Sequence, residues 1–230
     1  MCGRSTLHDA PTNMLERFSL PPMLPGFEPH YNICPSQPQW TIVRNRSGEA
    51  RVGQVRWGLI PSWAEDPSTG QRMINVRAES LTKKPAWSTL LRTRRCLVLA
   101  DGYFEWKVEG KGKVPYYFKL SDGRAFGLAG LWDRWDRSGA PIGTCTVITT
   151  AASKRALPYH HRMPVVLTEE TAVAWLHPEA TPAELESLMV GYDSDDLEMY
   201  PVSRYVNDPA NDSAECVARL NDHVLEVEPG

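Results

Sequence analysis

The 230-residue chain carries a net charge of −3, with 42% hydrophobic and 23% charged residues. That apolar content suffices for a sizeable core, and the acidic balance excludes a protein that coats nucleic acid through bulk positive charge. A local basic groove stays compatible, because salt confines charge effects to roughly 8 Å.

In chain order, the opening Met-Cys-Gly-Arg-Ser places Cys2 directly behind Met1. Residues 12–20 predict a helix with Met14, Leu15 and Phe18 on one face. The Pro-rich stretch 21–29 reads as an ordered surface loop leading into Tyr31–Asn32 and Pro35. Strands are expected at 40–44 and 52–57. In Trp57–Trp63 two tryptophans bracket a Pro-containing turn, Trp57 suiting the core and Trp63, before the polar loop 64–72, suiting exposure. Residues 73–80 would place Asn75, Arg77 and Glu79 on one face if extended. A short helix is expected at 86–93, and Arg92, Arg94 and Arg95 read as a solvated basic face. Further strands are expected at 96–100, 103–107, 115–120, 125–132 and 144–149, separated by Gly-containing turns. After Tyr159–Pro164, where His160 and His161 would point apart in extended chain, come a strand at 164–167, a helix at 169–176 capped by Thr168, a second helix opened by a Thr181/Glu184 capping box, and a strand at 198–202. This pattern predicts one α+β domain over residues 1–230, with mostly antiparallel sheets in a barrel-like core and flanking helices.

Five irregularly spaced cysteines, Cys2, Cys34, Cys96, Cys145 and Cys216, form no CxxC pair. No metal site or cofactor is therefore expected, and a reducing compartment is. With no signal peptide and no apolar run near the ~18 residues that span a bilayer, the expectation is a cytoplasmic protein (nucleoid-associated in a bacterium, nuclear in a eukaryote) with no membrane contact.

Chemistry concentrates at Cys2. Removal of Met1 would leave an α-amine and a thiol on adjacent carbons, with ordinary pKa values near ~8 and ~8.5. The amine can trap an aldehyde as a Schiff base, and the thiol can then close a five-membered thiazolidine; alternatively the amine can serve as base for its own thiol. Glu105 stands between Phe104 and Trp106, where desolvation would raise its pKa toward neutrality. His160 suits acid catalysis, Asn75 offers an amide and Arg77 a phosphate fork.

Cys2–Gly3–Arg4, Tyr31–Asn32 with Pro35, Trp57–Gly58 with Pro61 and Trp63, Ile74–Asn75, Arg77–Glu79, Asp101–Trp106, His160–Arg162–Pro164 and Pro201–Ser203, in this order, resemble the SRAP family, the SOS-response-associated peptidase domains that protect abasic sites in DNA. The resemblance covers nearly the whole chain. It implies that Cys2 captures the aldehyde C1′ of an abasic deoxyribose in single-stranded DNA as a thiazolidine, with Asn75 positioning, Glu105 shuttling protons and His160 acting as acid. It places Arg4, Asn32, Pro35, Trp63, Ile74, Arg77, Thr149 and Arg162 along the DNA and implies self-removal of Met1, a step that an ordinary methionine aminopeptidase could equally perform because Cys2 is small; a monomer is expected, and a Schiff base beside a deoxyribose phosphate permits weak lyase activity. Ser5 stands where the family usually has an aromatic, and Cys34 where it has a small residue. Two other readings stay open on the residues: an N-terminal-nucleophile glutamine amidotransferase, and a DNA-junction binder with no covalent step.

Overall fold

The computed structural model describes residues 2–45, 47–137 and 139–220. Among them the elements run β1 (Ser5–Leu7), α1 (Thr12–Arg17), β2 (His30–Ile33), β3 (Pro38–Arg44), β4 (Ala50–Trp57), β5 (Asn75–Arg77), α2 (Ala78–Leu81), α3 (Pro85–Thr93), β6 (Arg95–Ala100), β7 (Gly102–Glu109), β8 (Gly112–Leu120), β9 (Phe126–Trp135), β10 (Ile142–Ala151), β11 (Arg162–Pro164), β12 (Val166–Leu167), α4 (Glu169–Trp175), α5 (Pro182–Leu188) and β13 (Leu197–Pro201). The class is α+β. A smaller antiparallel sheet has the order β13-β8-β7-β1-β2, and a larger one the order β11-β10-β4-β3-β6-β9-β12. β9 also pairs with β10, so the path through β4, β3 and β6 returns to β10; β5 attaches to β10 alone. The pairings of β10 with β4 and β5 are parallel, departing from the antiparallel pattern elsewhere.

Side-chain alternation along β6 divides the interior. Cys96, Val98 and Ala100 join Cys2, Trp57, Tyr103, Phe118, Cys145 and Val147 in a cluster built from both sheets. Leu97 and Leu99 face the other way and pack with Met14 and Leu15 of α1, Leu91 of α3, Trp175 of α4 and Leu185 of α5. Arg95 opens β6 on this helical side. It is buried and donates to the carbonyls of Leu91, Arg92, Trp175 and His177, holding the C-terminal ends of α3 and α4 together.

The strands expected from β-rich runs form with their ends moved by a few residues, and the Thr181/Glu184 capping box is present. Four local expectations are corrected. The first helix ends at Arg17 instead of residue 20, because Ser19 adopts φ +54° and the amide of Leu20 turns back to the carbonyl of Leu15. Residues 73–80 are not one strand: Arg77 is the N-cap of α2, so Glu79 leaves the face shared by Asn75 and Arg77. The expected strand at 164–167 is split at Val165, whose amide donates to Ile148 and whose carbonyl accepts from Ala129. His160 and His161 do not diverge: the preceding turn leaves their ring centroids 4.4 Å apart.

Candidate active site

Cys2 is fully buried in the cluster between the sheets, and the first strand explains how it gets there. Ser5 and Thr6 pair with Tyr103 and Gly102, and the amide of Phe104 donates to the carbonyl of Arg4 at 3.1 Å. Position 102 must be glycine, since a Cβ there would lie 2.1 Å from the Tyr117 hydroxyl. Asp101 secures the far end of β1. One carboxylate oxygen takes the Thr6 hydroxyl and the other takes the backbone amides of His8 (2.6 Å) and Asp9 (2.9 Å). His8, Asp9 and Asp101 bring ligand-type atoms within 4.8 Å of one another, but these bonds already explain the Asp101 carboxylate as a turn fastener. Ser5 is buried and accepts from the Gln39 amide at 3.0 Å, so a polar contact fills the place beneath the N-terminus.

Three side chains converge on Cys2. Asn75, carried by β5, donates from Nδ2 to the Cys2 carbonyl at 2.6 Å. Its Oδ1 is buried and, among the described residues, has no hydrogen-bond partner, which leaves an acceptor at the site. Glu105, on β7, is 3% exposed. Burial pushes its carboxyl up to about 7, with the positive chain terminus pulling the other way. The Cys2 thiol is also pushed up, first by burial and then by the Glu105 carboxylate, so the sulfur is held as S–H and not as thiolate. His160 Nδ1 lies 3.7 Å from Glu105 Oε2. The same nitrogen lies 2.8 Å from the Arg162 carbonyl and 3.1 Å from the Arg162 amide, so the main chain of Arg162 holds the imidazole in place. Burial lowers the His160 pKa, and the positive charges of the chain terminus, His161 and Lys113 lower it further. Of the pair, Glu105 is therefore the better holder of a proton near neutrality.

The other sequence candidates fall into two groups. Trp63 is 66% exposed, Arg77 is exposed, and Ile74 and Pro35 are half-buried. Among the described residues the Arg77 guanidinium makes no hydrogen bond or ion pair, and Ile74 presents its carbonyl to the Trp57 indole N–H at 2.9 Å. Trp57 itself is buried, as its core assignment requires. Arg4, Asn32, Thr149 and Arg162 instead have protein partners. The Arg4 guanidinium donates to Asn32 Oδ1 and to the carbonyls of Val206 and Asn207. Asn32, buried, donates to the carbonyls of Val206, Asp208 and Asn211. Arg162 forks onto Glu79 at 2.6 and 3.1 Å and reaches the Thr149 carbonyl at 2.6 Å, while Thr149 is fully buried. Cys34 is buried too, donates to the Asn32 carbonyl at 3.3 Å, and has its pKa raised, chiefly by burial. Lys113 is a residue that sequence reasoning passed over. It sits at the start of β8, where only the β7–β8 hairpin brings its charge to bear on His160.

The family model described as SOS response associated peptidase (SRAP) matches residues 1–209. The abasic site processing protein YoqW of Bacillus subtilis is 43% identical over 222 residues, covering 94% of this chain and 99% of that protein. The abasic site processing protein HMCES of Gallus gallus is 31% identical over 226 residues, covering 84% of this chain and 67% of that one. Among solved structures, a Bacteroides thetaiotaomicron protein matches with a TM-score of 0.83 at 26% identity, covering 96% of this chain and 100% of that one.

Proposed function

Because this chain belongs to the SRAP family, we propose that it senses abasic sites in single-stranded DNA and captures them covalently through Cys2 once Met1 is removed. The observation that carries this reading is the convergence of Asn75 and the Glu105–His160 pair on Cys2, with Asn75 gripping the Cys2 carbonyl at 2.6 Å. That grip fixes the main chain beside the atom that becomes the nucleophilic amine.

In this mechanism the protonated Glu105 carboxyl delivers its proton to the ring oxygen of the closed sugar as neutral His160 takes the proton of the C1′ hydroxyl. The ring-opened aldehyde is attacked by the Cys2 amine, giving a carbinolamine. The imidazolium of His160, a strong acid because its pKa is lowered, delivers its proton to the departing hydroxyl, and water leaves to form the iminium. The Cys2 sulfur then adds to the same carbon and its proton passes to the Glu105 carboxylate, closing the thiazolidine and restoring the pair. One water is lost overall, and no oxidant or reductant is consumed. A buried thiol held as S–H acts late in this order, after the amine has brought the electrophilic carbon to it. An iminium beside a deoxyribose phosphate also allows β-elimination, so weak lyase activity accompanies capture whenever ring closure is slow.

Trp63, Ile74 and Arg77 are the groups presented to the strand, for stacking, wedging and phosphate contact. Arg4, Asn32, Thr149 and Arg162, with Pro35 alongside, shape the floor on which the strand rests. The protein acts as a monomer, in the cytoplasm or on the chromosome, and removes Met1 itself. No helix among the described residues is long and apolar enough to cross a membrane.

The test is intact mass spectrometry after incubation with single-stranded DNA carrying one abasic site. The expected product is protein lacking Met1, plus the DNA, minus one water, mapped to Cys2. Absence of an adduct, or an equal adduct with undamaged DNA, defeats the reading; glutamine hydrolysis by the same preparation would point to an amidotransferase instead.

A further inference from the structure

A groove of about 810 Å³ opens where the end of β3, the end of α3 and the start of β6 meet. Its walls carry Arg44, Arg92 and Arg94, and Trp132 lines it. Among the described residues none of these three guanidiniums has a carboxylate within ion-pair distance. Arg44 Nε is buried with no hydrogen-bond partner. The single acidic residue on the walls is Glu179, at the exposed lip. In a chain with a net charge of −3, three uncompensated cations around one cavity are not a by-product of composition.

Helix-end electrostatics accounts for part of this cluster but not all of it. A cation in the last turn of α3 complements the helix dipole, which explains Arg92. Arg95 is consumed by four backbone carbonyls and is structural. Neither account covers Arg44, on a different element and with its guanidinium carbon 5.3 Å from the Phe18 ring; Arg94, the C-cap of α3, also lies over the Trp132 ring at 4.4 Å. Guanidinium forks without carboxylates match phosphate oxygens. The Trp132 face is already covered by Arg94, so the groove offers charge for a backbone and no aromatic platform for a base.

We propose that this groove binds the phosphodiester backbone of nucleic acid, without reading sequence, at a point remote from Cys2. The proposal rests on the DNA reading above and adds a second contact to it. Arg95 opens on the helical side of β6, whereas Cys96 and Val98 face the Cys2 cluster, so the groove engages a part of the strand, or a duplex arm, that has passed around the sheet. The lesion and the groove are then held at once, and retention of long DNA exceeds what the Cys2 site gives alone.

The experiment compares wild type with the Arg92→Gln/Arg94→Gln double variant. Non-covalent affinity for undamaged DNA is measured across salt concentrations, and cross-linking rate is measured on short (about 5 nucleotides) and long (about 30 nucleotides) abasic strands, since one strand rises about 3.4 Å per nucleotide. The expected result is a salt slope on undamaged DNA reduced by about 1.4 for a single strand, for two lost phosphate contacts, with cross-linking of the short strand unchanged. An unchanged slope, or equal losses on short and long strands, overturns the proposal. So does stabilisation of wild type, but not the variant, by inorganic phosphate alone together with an unchanged slope on DNA, which would assign the groove to a small anion. If the double variant does not fold, Arg92→Gln, at an exposed position, is expected to give half the change in slope. Because undamaged DNA is the binding probe, the groove can fail while cross-linking survives, and the reverse.

Discussion

Asn75 and Cys2, 73 residues apart, are joined by a 2.6 Å hydrogen bond from the asparagine side chain to the cysteine main-chain carbonyl. The bond is the only link from β5 to the chain's first residues that the described hydrogen bonds contain, and it orients the backbone that the proposed chemistry needs.

Asn75→Ala is therefore expected to slow cross-linking by about tenfold, the equivalent of one hydrogen bond near 1.4 kcal/mol, with a small change in melting temperature. Asn75→Asp is expected to fare no better, because a carboxylate accepts where a donor is required. Single-turnover cross-linking rates check both; wild-type rates for Asn75→Ala would remove the positioning role.

Glu105 predicts a pH dependence of known sign. Its carboxyl is raised from an ordinary value of 4.5 to about 7, so the stability it contributes is full below the unfolded value and is lost as pH rises from about 4.5 through about 7. Glu105→Gln is expected to remove that loss and to be the more stable protein at pH 8, by up to about 3 kcal/mol. Cross-linking by the same variant is expected to be slower and to lose the titration near pH 7. Melting curves and rates from pH 4 to pH 9 test both halves; parallel stability profiles for the two proteins would show that the carboxyl is not perturbed.

Arg162 and Glu79 form a two-pronged pair in which the arginine is buried and the glutamate half-exposed. Arg162→Ala is expected to cost about 3 kcal/mol, because it strands the Thr149 carbonyl as well as Glu79. Glu79→Gln should cost about 1 kcal/mol, since water can replace part of that contact. Arg162→Lys is expected to fall between them, a lysine being unable to reproduce the fork. Denaturant unfolding of the three variants orders them; equal costs for all three would contradict this geometry.

Arg95 and its neighbours separate structural from binding cations. Arg95→Met leaves four helix-end carbonyls without their donor and is expected to destabilise the fold by about 3 kcal/mol with DNA affinity and its salt slope unchanged. Thermal melting and salt-dependent binding of that variant decide it, and a reduced slope would place Arg95 in the groove's binding surface.

Most of the β-structure was legible because its runs are rich in Val, Ile, Leu and aromatic residues, as in Arg95–Ala100 and Ile142–Ala151. β1 and β2 were not, since Ser-Thr-Leu and His-Tyr-Asn-Ile are too short and polar to show a period of two. Their strand character comes from neighbours, β7 above all, and not from their own residues. At the site, Cys2, Asn75, Glu105 and His160 were each visible as functional groups out of keeping with their surroundings. The occupation of Arg4 was invisible for another reason: its partners are backbone carbonyls, which every residue type supplies alike. Lys113 left no signal because only the hairpin register brings it near His160.

The Arg4–Val206 contact spans 202 positions, and its consequence is temporal. Translation releases the first strand long before the segment that clamps it, an interval of about 10–40 s at ordinary elongation speeds. Throughout that time the Arg4 clamp beside Cys2 is unmade, which favours any aminopeptidase stationed at the ribosome exit. The proposed self-removal of Met1, if it needs the completed clamp, would wait until residues 206 and 207 have emerged and docked. A ribosome-stalled chain ending before residue 206 would thus separate the two routes by timing alone.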